Sequence, residues 1–102
     1  MPFVESALNH LQAAIREAKA AQVQVLTVIH GYGSTGKGGA IRTECRKTLD
    51  YMCSRGQLHS YIPGEDFSKQ NGKVKVLLNR YPQLRLNKNL NRRNQGITMV
   101  IL

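Results

Sequence analysis

The chain runs out of acids at Asp66. From Ser68 to Leu102 it carries eight bases, Lys69, Lys73, Lys75, Arg80, Arg85, Lys88, Arg92 and Arg93, which is eight of the formal +9 carried by all 102 residues. A field of one sign over so short a segment raises the local concentration of a polyanion and speeds its capture. The partner indicated is DNA or RNA, held mainly through its phosphate backbone. A solvated tail would need acids only to be outnumbered, whereas here they are absent. Aromatic residues are also scarce, with no tryptophan, so stacking on bases would fall to Tyr32, Tyr61 or Tyr81. The only cysteines, Cys45 and Cys53, lie eight positions apart in a helix-patterned stretch, hence roughly 12 Å along its axis and beyond disulfide reach. With His10, His30 and His59 scattered, no closed metal site is expected. No run of about 18 apolar residues exists, and the start lacks the zones of a signal peptide. The expectation is a soluble, cytoplasmic protein of one small domain, residues 1–102, with no membrane partner.

What is present has clear periodicity. Val4, Leu8, Leu11, Ile15 and Ala18, widened by Ala7 and Ala14, predict an amphipathic helix from residue 3 to about 21. Val23 to Ile29 is β-branched and apolar on both alternating faces, which predicts a strand central to its sheet. Ile41, Cys45, Leu49 and Met52 define a second helix from about Lys37 to Arg55, with Gly56 as its stop. Leu58 to Ile62 reads as a strand, and a strand, helix and strand in that order should cross over and pair in parallel. Residues 72–81 fit a helix through Val74, Leu77, Leu78 and Tyr81, although Val74-Lys75-Val76 also alternates like a strand; helix is favoured. Pro82 to Gly96 reads as a long, polar, basic and mobile connection, and Ile97 to Leu102 as a closing strand. The fold class is α/β: a small two-layer sandwich, with a mixed sheet of three to four strands covered by two main helices.

The loop between the first strand and the second helix, His30-Gly31-Tyr32-Gly33-Ser34-Thr35-Gly36-Lys37-Gly38, carries the chemistry. From Gly31 it nearly spells the phosphate-cradling P-loop, but Gly38 stands where a metal-holding hydroxyl is needed. No apolar strand ends in a second metal-holding acid, so a nucleotide-phosphate binder is a remote alternative. Glycine-rich backbone at Gly31, Gly33, Ser34 and Gly36 can approach an anion closely, and the following helix start adds partial positive charge. Lys37, Arg42 and Arg46 supplement it; Arg42 and Arg46, four apart, share a helical face away from Ile41 and Leu49. The plain alternative for Arg46 is a solvated pair with Asp50. His30, at the strand end, suits phosphate binding or proton exchange near neutral pH, or a merely structural place. No Ser-His-Asp set and no H-E-x-x-H accompanies it.

Val25 to Gly33, then Gly39-Ala40-Ile41-Arg42, resembles the Smr (small MutS-related) domain, whose hallmark is an H-G-x-G loop between an apolar strand and a helix. The ending Asn94 to Leu102 resembles that domain's glycine-led last strand. The resemblance implies a two-layer α/β sandwich similar to the C-terminal domain of bacterial translation initiation factor three. It implies DNA or RNA binding and, in several members, nicking or endonuclease cleavage, in proteins related to mismatch repair and recombination. By position, His30, Gly31 and Gly33 match the hallmark loop and Arg42 the basic residue beyond it. Val4-Glu5-Ser6-Ala7-Leu8 matches the family's opening helix, but only Met1-Pro2-Phe3 precedes it, so the usual L-D-x-H strand has no counterpart here. Two expectations follow: whether the chain is an enzyme is left open, and either an unpaired sheet edge favours a homodimer or the first strand is encoded upstream of Met1.

Three functions are therefore carried forward. The leading one is a nucleic-acid-binding module in which the glycine loop holds a phosphate and Arg85, Lys88, Arg92 and Arg93 embrace the polyanion. The second is a Mg- or Mn-assisted endonuclease with His30 as the catalytic group and Lys37 or Arg42 stabilising charge. The third is a non-catalytic ribosome-associated or protein-interaction module.

Overall fold

The computed structural model describes residues 2–31 and 38–102. Helix α1, Pro2–Ala20, buries the predicted stripe: Leu11, Ile15 and Ala18 lie inside, with Leu8 packed beside them. Glu5 in its first turn and Lys19 in its last complement the helix dipole. The chain then turns through Gln22, which adopts a left-handed φ of 61°, and enters strand β1, Val25–Ile29. Helix α2, Gly38–Ser54, buries Cys45 and Leu49 against α1 and the sheet. It stops at Gly56, whose φ of 72° allows Gly56 N–H to reach the Cys53 carbonyl and Gln57 N–H the Met52 carbonyl. Two such bonds close the last carbonyls of a helix, and a left-handed residue is needed to make them.

Strand β2, Ser60–Pro63, leads through a short 3-10 turn, Gly64–Asp66, to α3, Gly72–Arg80. The ambiguity over residues 72–81 resolves as helix. Asn71 caps it by accepting from Lys73 N and Val74 N, and Val74, Leu77 and Leu78 are buried. A second 3-10 turn, Pro82–Leu86, precedes the last strand, β3, Ile97–Ile101.

The sheet order is β1-β3-β2, with β3 antiparallel to both neighbours. The two-layer α/β architecture is therefore found, but the sheet is not mixed. Strands β1 and β2 run the same way without pairing, because their crossover leaves a gap one strand wide that β3 fills. Central burial belongs to β3, all five of whose residues are buried, and β1 lies at an edge with Ile29 exposed. Period-two alternation divides β3's side chains between two cores. Val100 joins α1 and α2, whereas Ile97, Met99 and Ile101 join Ile62, Phe67 and the α3 residues on the opposite face. The expected mobile connection from Pro82 to Gly96 is instead anchored: Leu84 and Leu90 enter the second core, and Asn91 N–H bonds the Phe67 carbonyl. Asn87 and Asn94 build turns by accepting the N–H two residues on through Oδ1, and Asn91 Oδ1 ties the segment to Lys69 N.

Candidate nucleic-acid interface

The end of β1 is fastened to the start of β3 through one carbonyl. Both His30 N–H and Gly31 N–H donate to Gly96 O at 3.0 Å, and Gly31 turns away with a φ of 76°. This places the His30 ring over β3. Its Nδ1 lies 2.6 Å from the Gly31 carbonyl and its Nε2 2.8 Å from Thr98 Oγ1. A carbonyl can only accept, so Nδ1 carries the proton, and in the neutral ring Nε2 accepts from the Thr98 hydroxyl. Thr98 Oγ1 in turn accepts from Arg46 Nε at 3.2 Å. A directed chain results, from guanidinium to hydroxyl to imidazole to carbonyl.

Arg46 is locked rather than solvated. Its fork meets both oxygens of Glu65 at 2.9 and 2.7 Å, and it also donates to the Ile97 carbonyl at 3.2 Å. The alternative pairing with Asp50 is not found; Asp50 instead accepts from the Tyr61 hydroxyl at 2.7 Å. Glu65 reaches this position because Gly64 lets the backbone pass against β3. A Cβ at Gly64 would strike the Asn94 carbonyl and the Ile97 side chain.

The electrostatics follow from this packing. Partial burial is the main cause holding the His30 pKa below its ordinary 6.5; Arg46 and Arg42 add to it, while the Gly31 carbonyl and Glu65 oppose it. Hydrogen bonding from Arg46 holds the Glu65 carboxyl below its usual range against the cost of burial. At neutral pH the cluster is thus a neutral imidazole beside an anion already paired. Tyr61, half-buried, has its pKa pushed up to about 12, chiefly by burial and by its bond to Asp50. It packs, partly buried, against the first core and Tyr81 against the second, and the Arg80 guanidinium lies 5.6 Å from the Tyr81 ring centre.

Arg42, one turn before Arg46, has a different fate. Among the described residues its one bond runs from Nη1 to the Gln95 amide oxygen at 3.3 Å, an uncharged partner. Gln95 also borders a concavity of about 540 Å3 shared with Asn89, Arg92, Arg93 and Asn94. The structure therefore brings together His30, Gly31, Arg42, Arg46, Arg92 and Arg93. Arg85 bonds Asn79 and Lys88 is exposed; neither lines this concavity. Gly33, Ser34, Gly36 and Lys37, with Tyr32, lie outside the described residues. Sequence reasoning missed Thr98, Glu65 and Gln95. Thr98 had one signal, as the lone hydroxyl in the apolar closing strand; Glu65 and Gln95 had none.

Residues 3–79 match the Smr domain family. The chain belongs to the Smr domain family. This is a nuclease-like, nucleic-acid-binding family. No curated protein and no solved structure matches the chain. The match covers α1, β1, α2, β2 and most of α3; the Asn89–Gln95 concavity and β3 lie beyond the matched residues. Cys45 and Cys53 are free thiols, their pKa values raised chiefly by burial. No helix among the described residues is long and apolar enough to cross a membrane.

The described residues do not fit a divalent cation at His30. Mg and Mn take oxygen ligands, and both Glu65 oxygens are engaged by Arg46. No three His, Cys, Asp or Glu side chains gather as a metal set among the described residues.

Proposed function

We propose that this Smr domain binds single-stranded or locally opened DNA or RNA through its phosphate backbone. The observation that carries this reading is the convergence at Gln95. Arg42, from the helix after the glycine loop, and Arg92 and Arg93, from the acid-free third, border one surface without a carboxylate partner among the described residues. Unpaired guanidinium groups are suited to phosphate oxygens, which accept in the same forked geometry. His30 and Gly31 are tied to the residue after Gln95, since both their N–H groups donate to the Gly96 carbonyl. Fluorescence anisotropy with labelled oligonucleotides at several salt concentrations tests the reading. Log affinity should fall linearly with log salt, by about 0.7 for each phosphate neutralised on a single strand.

Cleavage is a second reading, and one feature favours it. A neutral His30 keeps a proton-accepting nitrogen at physiological pH, as a general base requires. Supercoiled plasmid and structured RNA incubated with the protein, with or without Mg or Mn, should then be nicked or cut, and His30→Ala should abolish the products. Intact substrates with the wild-type protein would remove this reading and leave the binding reading in place.

The open edge of β1 favours self-association. In the register with β3, residues Val25, Thr27 and Ile29 turn their backbone groups outward, and Ile29 is 82% exposed. Antiparallel pairing of β1 with a second copy would satisfy those groups. Light scattering should show a concentration-dependent dimer that Thr27→Pro disrupts.

A further inference from the structure

The concavity bordered by Asn89, Arg92, Arg93, Asn94 and Gln95 is built on a fixed backbone. Asn91 and Arg93 hold left-handed φ values of 67° and 53°, a conformation uncommon outside glycine. Leu90 is buried between them and the core, Asn91 Oδ1 accepts from Lys69 N at 2.9 Å, and Asn94 Oδ1 accepts from Gly96 N at 2.8 Å. At about 540 Å3 the space falls within the ~300–1,000 Å3 typical of small-ligand sites.

Its hydrogen-bonding groups are unbalanced in one direction. Gly96 N–H and the Arg42 guanidinium can only donate, so they fix the oxygens of Asn94 and Gln95 toward themselves. The two amide NH2 groups remain for a ligand. Arg92 and Arg93 each bring five N–H donors, with no side-chain partner among the described residues. Donors therefore greatly outnumber acceptors. Phosphate satisfies donors, but so does one nucleobase edge: guanine presents N7 and O6, two acceptors side by side, to an arginine fork. Adenine pairs its N7 with an N6 donor, and an amide reads that edge only with its own oxygen free. In Asn94 and Gln95 that oxygen is taken, which leaves Asn89, among the described residues, as the one amide of the cleft able to read adenine, beside two arginine forks suited to guanine. An adenine set against either arginine fork meets donor with donor at N6 and forfeits the second hydrogen bond that guanine O6 would accept.

We propose that this cleft is a guanine-recognition subsite for single-stranded nucleic acid, placed beside the phosphate contacts of Arg42. The proposal rests on the nucleic-acid reading above, and gives it a base preference. Single strands are implied because their unstacked bases can enter a cleft edge-first.

The test uses the whole protein and twelve-nucleotide labelled oligonucleotides, uniform oligo-U or oligo-dT, bearing one central guanine, adenine or 7-deazaguanine. The expected result is about tenfold tighter binding of guanine than adenine, with 7-deazaguanine falling to the adenine level because N7 is gone. Replacing both arginines by lysine, Arg92→Lys with Arg93→Lys, keeps charge and backbone conformation but removes the fork. That variant should bind the guanine and adenine strands equally, whatever it loses in overall affinity; a guanine preference that survives it overturns the subsite. Preference in both sugar series assigns the base alone as the determinant; preference in RNA only adds the 2′-hydroxyl. Equal, salt-sensitive affinity for guanine and adenine strands overturns the subsite while the phosphate reading stands. No binding of any strand at low salt overturns both.

Discussion

The His30 cluster and the Asn89–Gln95 cleft meet at Gln95, yet their polar groups are in opposite states. In the first, the functional groups of His30, Thr98, Arg46 and Glu65 are all hydrogen-bonded to one another or to backbone. In the second, guanidinium and amide donors face outward with no internal acceptor among the described residues. Arg42 and Arg46 show the contrast on a single helix. One is committed to a carboxylate and a strand, the other holds only an amide oxygen. Satisfied networks specify geometry, and unsatisfied exposed donors are free for a ligand. Substitutions in the first region should therefore cost stability, and substitutions in the second should cost binding.

The largest effect is expected at Gly64. A methyl group there meets the Asn94 carbonyl and Ile97, parts of the backbone that joins the two regions. Gly64→Ala should lower the unfolding free energy by about 3 kcal/mol or more, read from urea denaturation. A loss below roughly 0.5 kcal/mol, the range of ordinary surface changes, would mean that the close approach does not hold the regions together. Next is Glu65→Ala, which strands Arg46 with side-chain exposure of only 17%. Its cost should be about 2 kcal/mol, between the values for exposed and buried pairs. Oligonucleotide affinity should not fall, since a positive charge is released rather than removed. A loss of affinity with stability unchanged would reverse the two roles.

Arg92→Ala and Arg93→Ala should do the opposite. Stability should move by less than about 0.5 kcal/mol, while the salt dependence should lose about 0.7 for each phosphate contact removed. The smallest effect concerns pH. Because the folded-state pKa of His30 lies below its ordinary 6.5, the unfolded chain takes up the proton first as pH falls. The stability tied to neutral His30 is present above pH 6.5 and declines as pH drops through that value toward the folded pKa. Glu65, lowered from 4.5, adds a loss of the same sign at more acid pH. An NMR titration should place His30 below 6.5, with its proton on Nδ1; titration above 6.5 would contradict the hydrogen-bond directions assigned here.

The same contrast marks what could be read from residues alone. The helices announced themselves because their signal is local: Leu11, Ile15 and Ala18 of α1, Cys45 and Leu49 of α2, and the Val74-Leu77-Leu78 face are buried, with Leu8, Ile41 and Met52 partly buried beside them. Strand order did not, since the apolar alternation of Val23 to Ile29 records which faces are greasy and not which strand lies between two others. The end of the chain takes the central position because its run Ile97–Ile101 can be covered on both faces. His30 and Arg42 were legible from the loop and helix that carry them. Glu65, Thr98 and Gln95 were not, because each acquires its role from a partner far along the chain: 19 residues for Glu65 with Arg46, 68 for Thr98 with His30, and 53 for Gln95 with Arg42. The polar stretch from Pro82 misled in the same way. Its asparagines look like solvent-facing linker until Leu84 and Leu90 are seen in the core.

The central claim is that the unpaired arginines around Gln95 bind a nucleic-acid backbone. Its most direct test is the slope of log affinity against log salt for one guanine-free single-stranded oligonucleotide, measured for the wild type and for a triple variant, Arg42→Ala, Arg92→Ala and Arg93→Ala. The account predicts a steep negative slope in the wild type, shallower by about 2 in the variant if each arginine neutralises one phosphate. A wild-type affinity indifferent to salt, or a slope that the three substitutions leave unchanged, would contradict it.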